Sequence, residues 1–367
     1  MIADLALQRS KYKHLTDDEW RWFLQQVEGR ERTAEKLPTF AAIEDWWYPV
    51  RLSCEQCSSE LTARYKASLV SGETMVDLTG GYGVDTYFLS NSFSSIEYVE
   101  LNAELCRIAS HNFADKPIAI HHTSAEAFLA SAGEYDLIFL DPARRDSHGG
   151  KVFRLEDCTP NVVDLLPTLL AHGKRVMIKL SPMLDLTQAV KELSAFSTQW
   201  SVYVVAIKNE VKELLLLSGG SGRITAIDLA KKEQVFVFSK EEEQKAQSAI
   251  GHLSLEIGNF IYEPSAAILK AGAYKLVAER FGLHKLDINT HLYASDTLVP
   301  DFPGRIWKIV EKQDLKQANV LVRNYPLTPE QLKKKLHLRD GGTAYVIGCR
   351  VAGKPTLFFA ERMEDIH

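Results

Sequence analysis

Cysteine is scarce: the 367 residues contain five, Cys54, Cys57, Cys106, Cys158 and Cys349. An odd, sparse set excludes a disulfide-stapled fold and fits a reducing cytoplasm. Cys54 and Cys57 form one CxxC, but the second pair that a zinc ribbon needs is missing. These cysteines read as core or surface thiols, and no metal is expected. Long apolar runs are missing too. Candidates such as Leu214–Leu217 are strand-sized, far short of the ~18–20 residues of a membrane span. The early charges Asp4, Arg9, Lys11 and Lys13 leave no room for the apolar stretch of a signal peptide, so a cytoplasmic location is expected. No internal repeat or low-complexity segment occurs. Nor does one sign of charge dominate: 43 basic and 48 acidic residues leave a net −5, which excludes an overall basic nucleic-acid coat.

Hydrophobic residues make up 46% and charged residues 25%, ordinary values for a folded chain, and the length implies two or three domains. Charge is uneven along the chain. Residues 1–220 carry 22 Lys+Arg against 30 Asp+Glu, residues 221–367 carry 21 against 18, and 320–354 carry 7 against 2. An anionic partner therefore suits the C-terminal end.

The first 65 residues read as helical. Thr16-Asp17-Asp18-Glu19 has capping-box spacing, Trp20, Phe23, Leu24 and Val27 follow on one face, and Gly29 is expected to stop that helix. A second helix is expected from about Ser59 to Val70. From residue 75, short apolar runs alternate with helix-period segments: Met75–Leu78, Ile96–Leu101, Ile118–His122, Asp136–Leu140 and Arg175–Leu180. That alternation predicts a mostly parallel α/β sheet. Val202–Ile207 and Leu214–Leu217 are too close for a crossover helix, so they predict a terminal antiparallel hairpin. Gly219-Gly220-Ser221-Gly222 reads as a boundary. Beyond it, strands at Ile224–Ile227 and Gln234–Phe238 and a helix near Ala266–Phe281 are expected. A small α+β module then follows: strands Ile306–Val310 and Asn319–Arg323, helix Pro329–Leu336, and strands Ala344–Arg350 and Thr356–Phe359. The resulting division is 1–65, 66–220, 221–302 and 303–367.

One stretch bears on chemistry: Val76-Asp77-Leu78-Thr79-Gly80-Gly81-Tyr82-Gly83-Val84-Asp85-Thr86. It reads as a buried strand, a glycine turn and a helix start, an arrangement that brings backbone close to a ligand. The next strand ends at Glu100, placed to accept the hydroxyls of a ribose, and the fourth ends at Asp141-Pro142. A dinucleotide fold wants a third glycine where Thr86 stands, and no Gly-Lys-Ser/Thr follows as in a P-loop. Asp77, Asp85, Glu100 and Asp141, with Glu126 nearby, would form an acidic rim that repels a pyrophosphate. The same rim attracts a nucleoside carrying an ammonium and a sulfonium, as S-adenosylmethionine does. Asp85 could equally be a first-turn helix acid, and Thr123 to Glu126 could equally be a capping box.

These segments resemble motifs I, II and IV of class I S-adenosylmethionine-dependent methyltransferases: Asp77 to Asp85, Tyr98-Val-Glu100-Leu-Asn102 and Asp136 to Pro142. Tyr262 to Gly272 and the basic tail resemble bacterial members with a ferredoxin-like insert and a THUMP-like C-terminal domain; THUMP domains bind RNA. The resemblance implies a Rossmann-like methyltransferase sheet with N-terminal helices and a small C-terminal module. By the same resemblance Thr79, Gly80, Gly81 and Gly83 would cradle the methionine part, with Asp77 near its ammonium. Glu100 would hold the ribose, Ser124, Ala125 and Glu126 would lie by the adenine, and Asp141 and Pro142 beside the methyl.

The acceptor is less marked. Base amino-methyltransferases often carry Asp/Asn-Pro-Pro and an aromatic; this chain has Asp141-Pro142-Ala143-Arg144-Arg145. Arg144 and Arg145 could stack on a base or clamp a phosphate. A following loop, Asp146–Gly150, could act as a lid. Lys179, at the end of the fifth strand, would flank the pocket. Gln56 to Glu60 and Lys66 would either close over the cofactor or cap a helix through Ser58. In the tail, Arg323, Lys333, Lys334, Lys335, His337 and Arg339 form a basic set suited to RNA. The reading is a methyltransferase acting on a base of rRNA or tRNA. The rival is one acting on a protein or small molecule, or a non-catalytic cofactor-binding module.

Overall fold

The computed structural model describes residues 9–144, 155–194, 196, 198–229, 234–247, 258–312 and 314–363. Arg145 and the 146–150 loop lie outside the described residues, as does the Arg144 side chain. The chain divides into two compact units, Met1–Trp200 with Leu215–Ser221, and Ser201–Leu214 with Gly222–His367.

The first unit opens with α1 (Asp17–Thr33), capped as the sequence predicts: Thr16 and Glu19 each accept from the other's backbone. Gly29 does not stop it. The helix runs on to Thr33 because Gly29 lies against Tyr48, where a Cβ would stand 2.2 Å from the Tyr48 Cβ. The glycine serves close packing, not termination. Three short helices follow, α2 (Pro38–Ala42), α3 (Arg51–Gln56) and α4 (Glu60–Ser68). Ser59 caps α4 through the Thr62 N–H, so Ser58 is not the cap.

Five parallel strands then form, with order β7-β4-β1-β2-β3. They are β1 (Thr74–Asp77), β2 (Ser95–Glu100), β3 (Ile118–His122), β4 (Tyr135–Leu140) and β7 (Gly173–Leu180). Between them run α5 (Val84–Leu89), α6 (Ala103–Asn112), α7 (Ala125–Leu129) and α8 (Val162–His172), with a short antiparallel pair, β5 (Ala143–Arg144) and β6 (Cys158–Thr159). Continuous apolar runs such as Leu137–Leu140 and Val176–Ile178 are fully buried, as expected for strands covered on both faces. Phe40, Trp46 and Tyr48 pack with Tyr82, Phe88, Tyr98 and Phe113, so the N-terminal segment shares one aromatic core with the glycine turn. Tyr82 ties the two further: its hydroxyl accepts from the Trp46 indole at 2.9 Å.

The second unit begins at Ser201, within β8 (Trp200–Ile207). β8 turns into β9 (Glu210–Ser218), of the second unit as far as Leu214, through Lys208 and Asn209, both at positive φ as a two-residue hairpin requires. β10 (Ile224–Asp228) pairs parallel to β8, and β11 (Gln234–Phe238) antiparallel to β10. The helix expected near 266–281 is two, Ala266–Ala271 and Leu276–Phe281, separated by Gly272 at φ 86°. A seven-stranded sheet completes the unit around Trp307, Ile347 and Phe358. Its last elements are the strands Gly304–Val310, Asn319–Arg323, Ala344–Val351 and Lys354–Arg362, with the helix Pro329–Leu336. Among the described residues no helix is long and apolar enough to cross a membrane.

Candidate active site

β1 delivers Asp77 to the carboxyl end of the sheet, and the chain bends through Thr79-Gly80-Gly81-Tyr82-Gly83 into α5. Gly80 and Gly83 are needed for packing. A Cβ on Gly80 would stand 2.1 Å from the Tyr98 ring, and one on Gly83, at φ 82°, would stand 2.5 Å from Phe113. Gly81 differs: at φ 56°, its added Cβ would meet only the Thr79 carbonyl, at 3.7 Å. It is the glycine that leaves backbone open to a cavity of about 350 Å³.

Five carboxylates line that cavity, Asp77, Asp85, Glu100, Glu126 and Asp141, and Lys179 joins them. Asp77 is buried. It accepts from the Thr86 hydroxyl at 2.6 Å and the Thr79 N–H at 3.0 Å. Thr86, standing where a dinucleotide fold has a glycine, is thus a donor to this acid. Burial pushes the Asp77 carboxyl up to about 7, and Asp85 and Asp141 add to the rise against the two hydrogen bonds. Glu100 accepts from the Gly81 N–H and the Asn102 N–H, both at 2.8 Å.

Asp85 and Asp141 have cations. The Lys66 ammonium lies 3.2 Å from Asp85 and the Lys179 ammonium 3.4 Å from it, while Ser58 donates to Asp85 at 2.7 Å. Burial raises the Asp85 carboxyl, but Lys66 and Lys179 outweigh it and hold the group below its usual range. Lys179 also reaches Asp141 at 2.5 Å, and the Asp141 N–H donates to the Thr79 hydroxyl at 2.6 Å. The acid at the end of β4 is therefore tied both to β7 and to the glycine turn.

Of the other residues singled out by sequence, Ala125 and Glu126 line the cavity. Ser124 spends its hydroxyl on capping α7 through the Ala127 N–H; the cap is Ser124, so the box closed by Glu126 does not form. Pro142 is buried and does not line the cavity, whereas Ala143 does. Sequence reasoning missed Thr159 and Pro160, which reach the cavity from β6, and Ser53 from α3. Gln56, Cys57 and Ser58 line it as well. The CxxC thiols are held protonated by burial, Cys54 pushed up to about 12 and Cys57 raised, and all five cysteines are free.

In the second unit, Arg323 and Arg305 both pair with the buried carboxylate of Glu263. Lys333 pairs with Asp340 at 2.6 Å. Lys334, Lys335 and Arg339 are exposed, since the helix Pro329–Leu336 turns Leu332 inward.

Residues 260–303 match a family described as a ferredoxin-like domain, and residues 303–362 one described as THUMP domain-like. The chain is similar to a crystal structure described as a "putative methyltransferase from Porphyromonas gingivalis W83". Identity is 32%, 95% of this chain and 92% of that one are covered, and the TM-score is 0.85. It is also 22% identical, over 345 residues covering 90% of this chain and 92% of theirs, to proteins of two Mycobacterium tuberculosis strains, CDC 1551 / Oshkosh and H37Rv. Each of those is named an uncharacterized S-adenosylmethionine-dependent methyltransferase.

Proposed function

The chain belongs to the S-adenosylmethionine-dependent methyltransferases, and from that premise we propose that it methylates a base of RNA, ribosomal or transfer, gripping the RNA with its THUMP-like segment. The match over 303–362 is the observation that carries the choice of RNA, with the exposed Lys334, Lys335 and Arg339 within it in support.

The cavity residues fit the cofactor. Gly81 presents open backbone. Each Glu100 oxygen accepts one backbone N–H, which leaves lone pairs for ribose hydroxyls. Asp77 is a buried acid whose near neighbours are two donors and two further acids, an environment that a ligand ammonium relieves. Bound there, S-adenosylmethionine supplies a methyl already activated by its sulfonium. Asp77 would hold the ammonium, Glu100 the ribose, and Ala125 and Glu126 the adenine edge. Asp141 would accept an N–H of the acceptor amine and aim its lone pair at the methyl. Lys179, 2.5 Å from Asp141, would orient it for that task. Positioning of this kind accounts for up to ~7–11 kcal/mol of barrier reduction in favourable cases.

One observation favours a different acceptor: the second proline and the aromatic of base amino-methyltransferases are absent after Pro142. The test is transfer of labelled methyl into a cell extract that is then fractionated. Label that RNase releases, and that nucleoside analysis finds on a base, supports RNA. Label that resists RNase and yields to protease assigns the activity to protein.

A further inference from the structure

Lys66, Asp85, Lys179 and Asp141 form a chain of two ammoniums alternating with two carboxylates, drawn from α4, α5, β7 and the end of β4. Ser58 sits at its centre. Its hydroxyl donates to Asp85 at 2.7 Å and lies 3.0 Å from the Lys179 nitrogen and 3.4 Å from that of Lys66. Lys66 is fully buried, and its charge faces the Asp85 Oδ1, which is buried too. The spacing is unequal: Lys179 stands closer to Asp141, at 2.5 Å, than to Asp85, at 3.4 Å.

We infer that Lys66 is a positioning residue for methyl transfer: by neutralising Asp85 it leaves the Lys179 ammonium to Asp141, and so sets the acid that orients the acceptor. Without Lys66, Asp85 is a buried carboxylate with a single cation in reach. A lysine on a flexible four-carbon stem moves toward it. Asp141 then loses its partner and its fixed rotamer, although no residue touching the acceptor has changed. Ser58 bridges the two amines and keeps the division of charge.

The inference rests on the methyltransferase reading and on Asp141 as the acceptor-facing acid, not on RNA as the substrate. Transfer is therefore scored as total label in an unfractionated extract; fractionation of the wild-type reaction judges RNA separately. Lys66→Met is expected to lower kcat on the order of 10²-fold, the scale of a misplaced reacting group, with the KM for S-adenosylmethionine and its calorimetric affinity unchanged. The double variant Lys66→Met/Asp85→Asn removes the competing carboxylate with its cation, and kcat is expected to recover to within a few-fold of wild type. A residue needed only for folding would show no such rescue. Unchanged kcat in Lys66→Met, a double variant no better than the single, or cofactor affinity falling in step with kcat each overturns the inference. If Lys66→Met denatures, Ser58→Ala, which unpairs no charge, decides: a several-fold loss of kcat at constant cofactor affinity supports it, and wild-type kcat overturns it.

Discussion

If the Asp77 carboxylate receives the cofactor's ammonium, binding must be coupled to its ionisation. In the ligand-free protein burial lifts this carboxyl from 3.8 to about 7, so at pH 6 most molecules hold it protonated. A rise of that size is worth roughly 4 kcal/mol against the ionised form. A group whose folded value lies above its unfolded value stabilises the fold below the unfolded value and loses that contribution as pH rises through the folded one. For Asp77 the loss falls between about pH 4 and pH 7. A bound ammonium favours the ionised acid, so the ligand and the proton compete. The apparent dissociation constant then scales as one plus the ratio of protonated to ionised Asp77, a factor of about 2 at pH 7, about 11 at pH 6 and about 100 at pH 5. Cofactor affinity should therefore rise about fifty-fold from pH 5 to pH 7. Binding at pH 6 should release about 0.9 proton, read by calorimetry in buffers of different ionisation enthalpy. Asp77→Asn should bind weakly and without this pH dependence. A wild-type affinity that is flat from pH 5 to pH 7, or binding without proton release, would refute the placement of the ammonium at Asp77.

Asp141→Ala should keep cofactor affinity and lose turnover; single-turnover labelling beside calorimetry checks the split, and retained turnover removes Asp141 from the acceptor site. Lys334→Glu with Lys335→Glu should weaken RNA binding and reduce the slope of log affinity against log salt by about 1–2, and an unchanged slope would make these two residues a solvated helix face. Gly29→Ala sets helix propensity, a gain of about 1 kcal/mol, against overpacking on Tyr48, a cost of about 1–3 kcal/mol. With the new Cβ 2.2 Å from the Tyr48 Cβ, the cost should win, and the urea midpoint should fall.

The central parallel strands were legible because a strand buried on both faces favours a continuous apolar run, and β4 and β7 each carry one. The terminal hairpin was legible from spacing alone. The misreadings share one cause, that a glycine or serine has both a local and a tertiary use. Gly29 looks like a helix stop until Tyr48 arrives from nineteen residues on. Gly272 looks like an interior residue until its positive φ splits one expected helix into two. Ser58 and Ser59 are equivalent as caps on paper, and only the fold sends Ser59 to the Thr62 N–H and Ser58 to Asp85.

The acidic rim shows how far sequence reasoning about charge can go. The carboxylates that the sequence places after the strands, Asp77, Asp85, Glu100, Glu126 and Asp141, line one cavity. Their count does not divide them, because the division depends on Lys66 and Lys179, which approach from distant points in the chain. Once Lys66 and Lys179 are in place, Asp85 and the half-buried Asp141 each have an ammonium beside them, which offsets their pull on a cationic ligand. The attraction that remains belongs to Asp77, Glu100 and Glu126. Asp77 is buried and its carboxyl is pushed up to about 7, so on the proposed placement of the ammonium its proton, rather than the count of carboxylates, would govern how strongly the cavity draws a positive charge. On the proposed function the lysines would do a different job: an unpaired acid at the end of β4 would be free to seek the cofactor's cationic groups, whereas one held by Lys179 would be kept for the acceptor.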